Sequence, residues 1–315
     1  MKHCLTKFLL FLFILSLILG IGGNALAENR SSVVLIDDLG REVSVPFRPK
    51  RVAALIGSYA DIWCTAGGHD SLAAAAGDSW ISFDLNLGED VINLGAVRDF
   101  SLEKLIASEP ELILASISTA LDVELLPTFE ELGYPVLYFE VSNFTEYLHM
   151  LDLCTQITGE RENFTRCGTD VRTQVDAAIA RQDGSAPSVL YIRASSGSFA
   201  VKGSEGNVLG EMLADLGCRN IADTKTTLLE DLSLEVILAE DPDDIFIVYQ
   251  AADPTQAEAL LQEALLSNPA WASLTAVQEG RVFTLENRLY NLKPNSNWGI
   301  AYENLARILY GDAEE

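Results

Sequence analysis

Apolar residues along this chain fall into short blocks whose spacing switches between strand and helix periods. In "VVLIDDLGREVSVP" (33–46) two β-rich runs flank Asp38-Leu39-Gly40, which predicts a hairpin. Pro49 precedes "RVAALI" (51–56), a continuous apolar run of buried-strand type. A helical stretch from Tyr59 closes at Gly67-Gly68, and "SLAAAA" (71–76) follows as a second strand. The pairs "SLEKLIASEP" with "LILAS" (112–116), and "DVELLPTFEELG" with "PVLYFE", each add a helix and a strand. The alternation restarts after residue 187 with "SVLYI" (188–192), the helix "GNVLGEMLADLG" (206–217), "SLEVILAEDP", "DIFIVY" (244–249) and "RVFTL" (281–285). Such alternation indicates mostly parallel sheets covered by helices, an α/β fold.

The two halves also match residue by residue. "SLEKLIASEPELILAS" (101–116) returns as "SLEVILAEDPDDIFIV" (233–248), offset by 132 positions. Ser101 pairs with Ser233, Glu103 with Glu235, Pro110 with Pro242 and Ile113 with Ile245. "AGGHDSLA" (66–73) echoes "DLGCRNIA" (215–222), and an extra segment, residues 77–100, sits in the first half only. A repeat this long predicts two lobes on one plan and excludes a solenoid, whose periods run roughly 20–50 residues. Between the halves, Phe164, Cys167, Val171, Val175 and Ile179 mark one face at helical spacing. Residues 160–182 therefore read as one strut, roughly 35 Å long at 1.5 Å per residue. The expected organisation is an N-terminal lobe over 28–158, a linking helix within 159–186 and a C-terminal lobe over 187–315. The stripe of Trp298, Ala301, Tyr302, Leu305 and Ile308 makes "NWGIAYENLARILY" a core-facing helix.

Residues 1–27 follow a different logic. Lys2 and Lys7 flank an apolar run from Phe8 to Ile21 that ends in Ala25-Leu26-Ala27, the order of a cleaved secretory signal. The run is shorter than the roughly 20 residues of a membrane span. No cysteine stands at the expected cleavage point, which argues against a lipid anchor. Export to the periplasm is the expectation. The chain carries 46 acidic against 21 basic residues, a formal charge of −25. That excess argues against nucleic acid, whose phosphates it would repel. Cys64, Cys154, Cys167 and Cys218 form no C-x-x-C, and with His69 and His149 they offer no zinc spacing. Cys154–Cys167 is the nearest pair for a disulfide; burial as reduced thiols is the alternative.

Ligands of open parallel sheets bind beyond the carboxyl ends of the strands. The loops expected there hold Tyr59, Trp80 and Arg98 in the first half, and Arg193, Tyr249, Arg288 and Tyr290 in the second. Three arginines suit carboxylate, phosphate or catecholate oxygens, and the aromatic residues suit a flat ligand. Pairing of each arginine with a neighbouring acid is the competing reading. No G-x-S-x-G elbow, P-loop, helix-opening G-x-G-x-x-G or H-E-x-x-H occurs, which counts against an enzyme and gives no catalytic residue or cofactor site.

In its signal segment, "DDLGREVSVPFRPKRVAAL", "LGAVRDFSLEKLIASEPELILAS", the strut, "GEMLADLGCRNIADT" and "LSLEVILAEDPDDIFIVY", the chain resembles the solute-binding proteins of ABC importers for iron complexes and cobalamin. The resemblance implies two lobes joined by one backbone helix, a small closing motion and a ligand in the interlobe cleft. It implies a monomer that docks on a membrane permease, driven by an ATPase, through one surface acid per lobe. Those acids are Glu89 or Asp90 in the first lobe and Glu211 or Asp215 in the second. A ferric siderophore is the expected ligand. Cobalamin is the alternative, as is haem, for whose iron Tyr59 or Tyr290 could serve. An exported enzyme or a sensor domain on the same fold is the alternative of a different class.

Overall fold

The computed structural model describes residues 31–230, 233–250 and 253–312; the expected signal segment lies outside them. Strands β1 (Ser32–Ile36) and β2 (Glu42–Pro46) pair antiparallel, with Ser32 opposite Pro46, and turn through Gly40 at φ +74°. Buried Asp37 holds the turn by accepting from the Leu39 and Arg41 amides and from the Arg41 guanidinium. Its second oxygen also takes the Tyr138 amide at 3.2 Å, which ties the hairpin to the first sheet.

That sheet contains β3 (Val52–Ala54), β4 (Leu72–Ala75), β5 (Ile92–Asn93), β8 (Leu112–Ser116) and β9 (Val136–Phe139) in the order β5-β4-β3-β8-β9. Every neighbouring pair is parallel. The extra segment of the first half supplies β5 and a two-stranded hairpin of β6 (Gly95–Ala96) and β7 (Asp99–Phe100). The second sheet contains β10 (Ser188–Ala194), β11 (Phe199–Lys202), β12 (Arg219–Asn220), β13 (Asp244–Tyr249) and β14 (Val282–Leu285). Its order is β11-β10-β13-β14 with β12 also on β10, and only β11 runs antiparallel. Strands β8 and β13 are buried almost throughout, as expected of unbroken apolar runs in parallel sheets.

The sequence repeat has a shared physical content. Ser101 caps helix Leu102–Ala107 by accepting the Lys104 amide, and Ser233 caps helix Leu234–Glu240 through the Val236 amide. Leu105 and Ile237 are fully buried beneath those helices. Glu109 and Asp241 then turn left-handed, at φ +47° and +40°, ahead of Pro110 and Pro242. Proline disfavours helix at the residue before it, so the chain leaves the helix there and enters β8 or β13.

Two helices differ from the sequence expectation. "DVELLPTFEELG" forms two short helices, Ala120–Glu124 and Leu126–Glu131, because Pro127 lacks the amide an uninterrupted helix needs. The strut runs helical from Arg161 to Ile179 but widens to a π turn at Thr165–Thr169, where the Tyr147 hydroxyl donates to the Cys167 carbonyl at 2.8 Å. Gly159, at φ +77°, separates it from helix Phe144–Thr158. The four described cysteines are free, and burial pushes the Cys154 thiol well above its ordinary range.

Side chains of both sheets alternate between two environments. Val52, Ala54, Leu112, Leu114, Leu137 and Phe139 of the first sheet share one core with Val189, Tyr191, Phe246 and Val248 of the second. Each sheet's other face closes a separate core of its own. Phe144 and Tyr147 meet Trp298 at ring distances of 6.0 and 6.5 Å, and Trp298 meets Tyr302 at 6.2 Å. Helix Trp298–Tyr310 thereby packs on both the strut and helix Phe144–Thr158. Ser101→Ala and Ser233→Ala should each destabilise the protein by about 1 kcal/mol, the usual worth of an N-cap, read as a shift in the urea unfolding midpoint.

Candidate functional site

Helix Gly57–Trp63 follows β3 directly and carries Asp61 toward the second lobe. The Asp61 carboxylate accepts from the Arg288 guanidinium at 2.7 Å and from the Asn295 amide at 2.7 Å. The same Asn295 nitrogen reaches the Ser58 carbonyl at 3.0 Å. Arg288 also donates to the Lys293 carbonyl at 2.6 Å and lies over the Phe83 ring at 4.4 Å. Asn295 is fully buried and left-handed at φ +57°, a conformation asparagine tolerates better than most residues. Withdrawal from water pushes the Asp61 carboxyl up and the Arg288 guanidinium down; their contact opposes both shifts, and the Asn295 amide opposes that of Asp61. The result is a polar clasp across the lobes.

Beside the clasp lies a cavity of about 490 Å³ at the carboxyl ends of the strands. Ile81 and Ser82 line it from the first lobe, and Tyr249, Gln250, Asn287, Arg288 and Leu292 from the second. Helix Asp78–Ile81 overhangs it, with Ile81 75% and Trp80 39% exposed. The Asp78 carboxylate fixes that helix by accepting the Gly57 amide at 2.9 Å. A Cβ on Gly57 would lie 2.7 Å from the Ser79 amide, so the close approach of the two helices requires glycine.

The sequence candidates separate in three dimensions. Tyr59 is a correction: it is 0% exposed, its hydroxyl donates to the Phe139 carbonyl at 2.8 Å, and its ring packs edge-on against Phe139. Burial pushes its hydroxyl far above the ordinary range. Tyr290 is a second correction, 3% exposed and bonded to the Ala301 carbonyl at 3.2 Å. Both tyrosines face the core because each falls on the buried side of a helix that follows a strand end. Arg288 does pair with an acid, but with one on the other lobe. Tyr249 and Arg288 share the interlobe cavity, whereas Arg193 lines a different one of about 580 Å³ in the second lobe. Arg98 is exposed on the β6–β7 turn, which joins the Trp80 helix through Gly77 donating to the Gly95 carbonyl at 2.6 Å. The three arginines therefore do not converge on one point.

Glu89 and Asp90 are exposed between the Trp80 helix and β5. Glu211 takes the Gly206 amide at 3.1 Å, and Asp215 takes the Tyr302 hydroxyl at 2.6 Å. Asp61, Phe83, Lys293 and Asn295 were absent from the sequence candidates. Asp61 carried a signal, since an acid inside the apolar helix "SYADIW" needs a buried partner.

At the end of β8, Asp122 is fully buried and accepts the Ser116 amide at 2.8 Å through one oxygen, while the other has no protein partner. Burial pushes its carboxyl up to about 7. The native state therefore keeps a proton that the unfolded chain has released. Stability from this group is full below about pH 4 and is lost as pH rises through about 7. Asp122→Asn should flatten urea midpoints measured across that window. At the clasp, Asp61→Ala should destabilise the protein by about 3 kcal/mol, because it strands the Arg288 charge; Asp61→Asn, which keeps an acceptor, should cost less in the same measurement.

Comparison with known proteins places this geometry. The iron-uptake system-binding protein of Bacillus subtilis (strain 168) is 24% identical over 225 residues, 70% of this chain and 67% of that one. A periplasmic binding protein of Veillonella parvula DSM 2008 superposes with a TM-score of 0.72 at 18% identity, covering 89% of this chain and 92% of the other. Staphylococcus aureus SirA, solved with staphyloferrin B, gives 0.66 at 19% identity over 88% and 97% of the two chains. Residues 52–289 match a family described as periplasmic binding protein, which takes in both sheets, the strut, the clasp arginine and all of the interlobe cavity's lining except Leu292. The chain belongs to the periplasmic binding protein family.

Proposed function

We propose that this protein captures an iron complex, a ferric siderophore, in the interlobe cavity and delivers it to the permease and ATPase of an ABC importer. The observation that carries this reading is the cavity of about 490 Å³ at the carboxyl ends of two parallel sheets, the place where open α/β sheets take their ligands. The B. subtilis relative named for iron uptake and the siderophore-bound SirA structure support the ligand class. Tyr249 and Arg288 on the cavity, with exposed Trp80 next to cavity-lining Ile81 and exposed Arg98 on the β6–β7 turn, are the residues offered to the ligand. Haem is less well served, because both tyrosines considered for its iron are bonded inside the core. Residues 1–27 would export the chain, which acts as a monomer outside the cytoplasmic membrane. Exposed Glu89 and half-buried Glu211 are the acids offered to the permease.

Tryptophan fluorescence titrated with a ferric catecholate, a ferric hydroxamate, a ferric carboxylate, haem and cobalamin tests the reading. Micromolar or tighter binding of one ferric chelate is expected, with its signal lost in Trp80→Phe. Binding of cobalamin alone, or chemical turnover of the bound chelate, would overturn it.

A further inference from the structure

Cations are scarce in this chain, 21 against 46 acids, and most of those at the lobe interface have carboxylates beside them. Arg288 has Asp61, and Asp78, Glu140 and Glu146 attract Lys293. Arg193 and Lys202 are different. Among the described residues neither forms an ion pair. They stand on adjacent antiparallel strands, where Arg193 is opposite Ala200 and Lys202 is opposite Tyr191. The two cations are thus diagonal neighbours on one face, roughly 7 Å apart at their bases. Like charges at that spacing repel, and Lys202 shows it: burial and then the Arg193 charge hold its ammonium below the ordinary range.

Both side chains line the second-lobe cavity of about 580 Å³, together with Thr226, Leu229 and the loop from Gly203 to Asn207. The two acids on its wall do not neutralise them. Asp223 is taken up by Ser204, whose amide and hydroxyl donate at 2.9 and 2.7 Å, and Glu205 is exposed without an ion pair. Arg193 is linked to the wall of the interlobe cavity through Asn291. Its guanidinium is 3.5 Å from the Asn291 oxygen, and Asn291 donates at 2.9 Å to Asn287, which lines that cavity.

We propose that the second-lobe cavity is an oxyanion compartment, in which one carboxylate or phosphate group sits between Arg193 and Lys202. Such a group would replace the repulsion of two partly desolvated cations with two charge-assisted hydrogen bonds. In a protein of charge −25, a local pair of this kind is what lets an anion approach. The oxyanion has two sources. It is either the pendant arm of the chelate held in the interlobe cavity, an assignment that rests on the proposed function, or a free oxyanion bound in its own right.

Calorimetric titration of the wild type, Arg193→Gln and Lys202→Gln separates these sources. The probes are ferric citrate, a neutral ferric trihydroxamate, iron-free citrate and inorganic phosphate. Arg193→Lys, Lys202→Arg and thermal midpoints control for folding. Loss of at least about tenfold in affinity for ferric citrate in each Gln variant, with the trihydroxamate unchanged, supports the compartment as the seat of the chelate's arm. Equal dependence of iron-free citrate or phosphate on both cations supports it as a free-oxyanion site. That second outcome stands even if no ferric chelate binds, a result that would sink the iron-complex reading alone. Anion affinity indifferent to both substitutions, or no anion binding in any arm, overturns the compartment.

Discussion

The two lobes are joined by a shared core, and most of what this protein can do follows from that. Trp298 sits where Phe144 and Tyr147 of one lobe meet Tyr302 of the C-terminal helix, so a single apolar cluster reaches from one sheet to the other. Opening the lobes widely would expose that cluster to water at roughly 25 cal/mol per Å² of apolar surface. Gly299 lets the C-terminal helix approach the strut closely; a Cβ there would meet the Gln174 side chain, its own Cβ included. The lobes behave as one packed body with a cavity at its seam. This differs from two rigid domains on flexible strand crossings.

The clasp and the cavity use the same arginine for different ends. Arg288 spends its charge on Asp61 and its plane on Phe83, yet it still borders the interlobe cavity. A ligand arriving there meets a guanidinium that is already largely neutralised. Among the described residues Arg193 and Lys202 have no such partner, and they line a separate cavity in the second lobe. Among the described residues, positive charge is therefore paired at the seam and without an ion pair in the second-lobe cavity.

Strand-end helices explain why Tyr59 and Tyr290 are buried while Arg98 and Arg288 stay at the surface or at a cavity wall. A residue just past a strand's end is near the ligand side of the sheet, but the helix that begins there rotates successive side chains by about 100°. Tyr59 and Tyr290 fall on the inward side of that rotation and complete the core, each hydroxyl finding a backbone carbonyl. Their partly apolar bodies gain from burial, whereas a guanidinium resists it.

The sequence alone determined the lobe plan, because the repeat carries its own local chemistry: a capping serine, a buried aliphatic residue, a left-handed acid and a proline at matched positions in both halves. It also determined the strands built on unbroken apolar runs, such as β3, β8, β9, β10 and β13, but not the short β5, β6, β7 or the antiparallel β11. Which polar residues meet was left to tertiary structure. Asp61 and Arg288 are 227 positions apart, and no local pattern encodes their contact. The π turn in the strut likewise depends on Tyr147 reaching the Cys167 carbonyl from another helix. Periodicity records which side of an element is buried, but burial is shared among many residues and survives in one dimension. A hydrogen-bonded pair is a single meeting of two side chains, and only the folded chain brings them within reach.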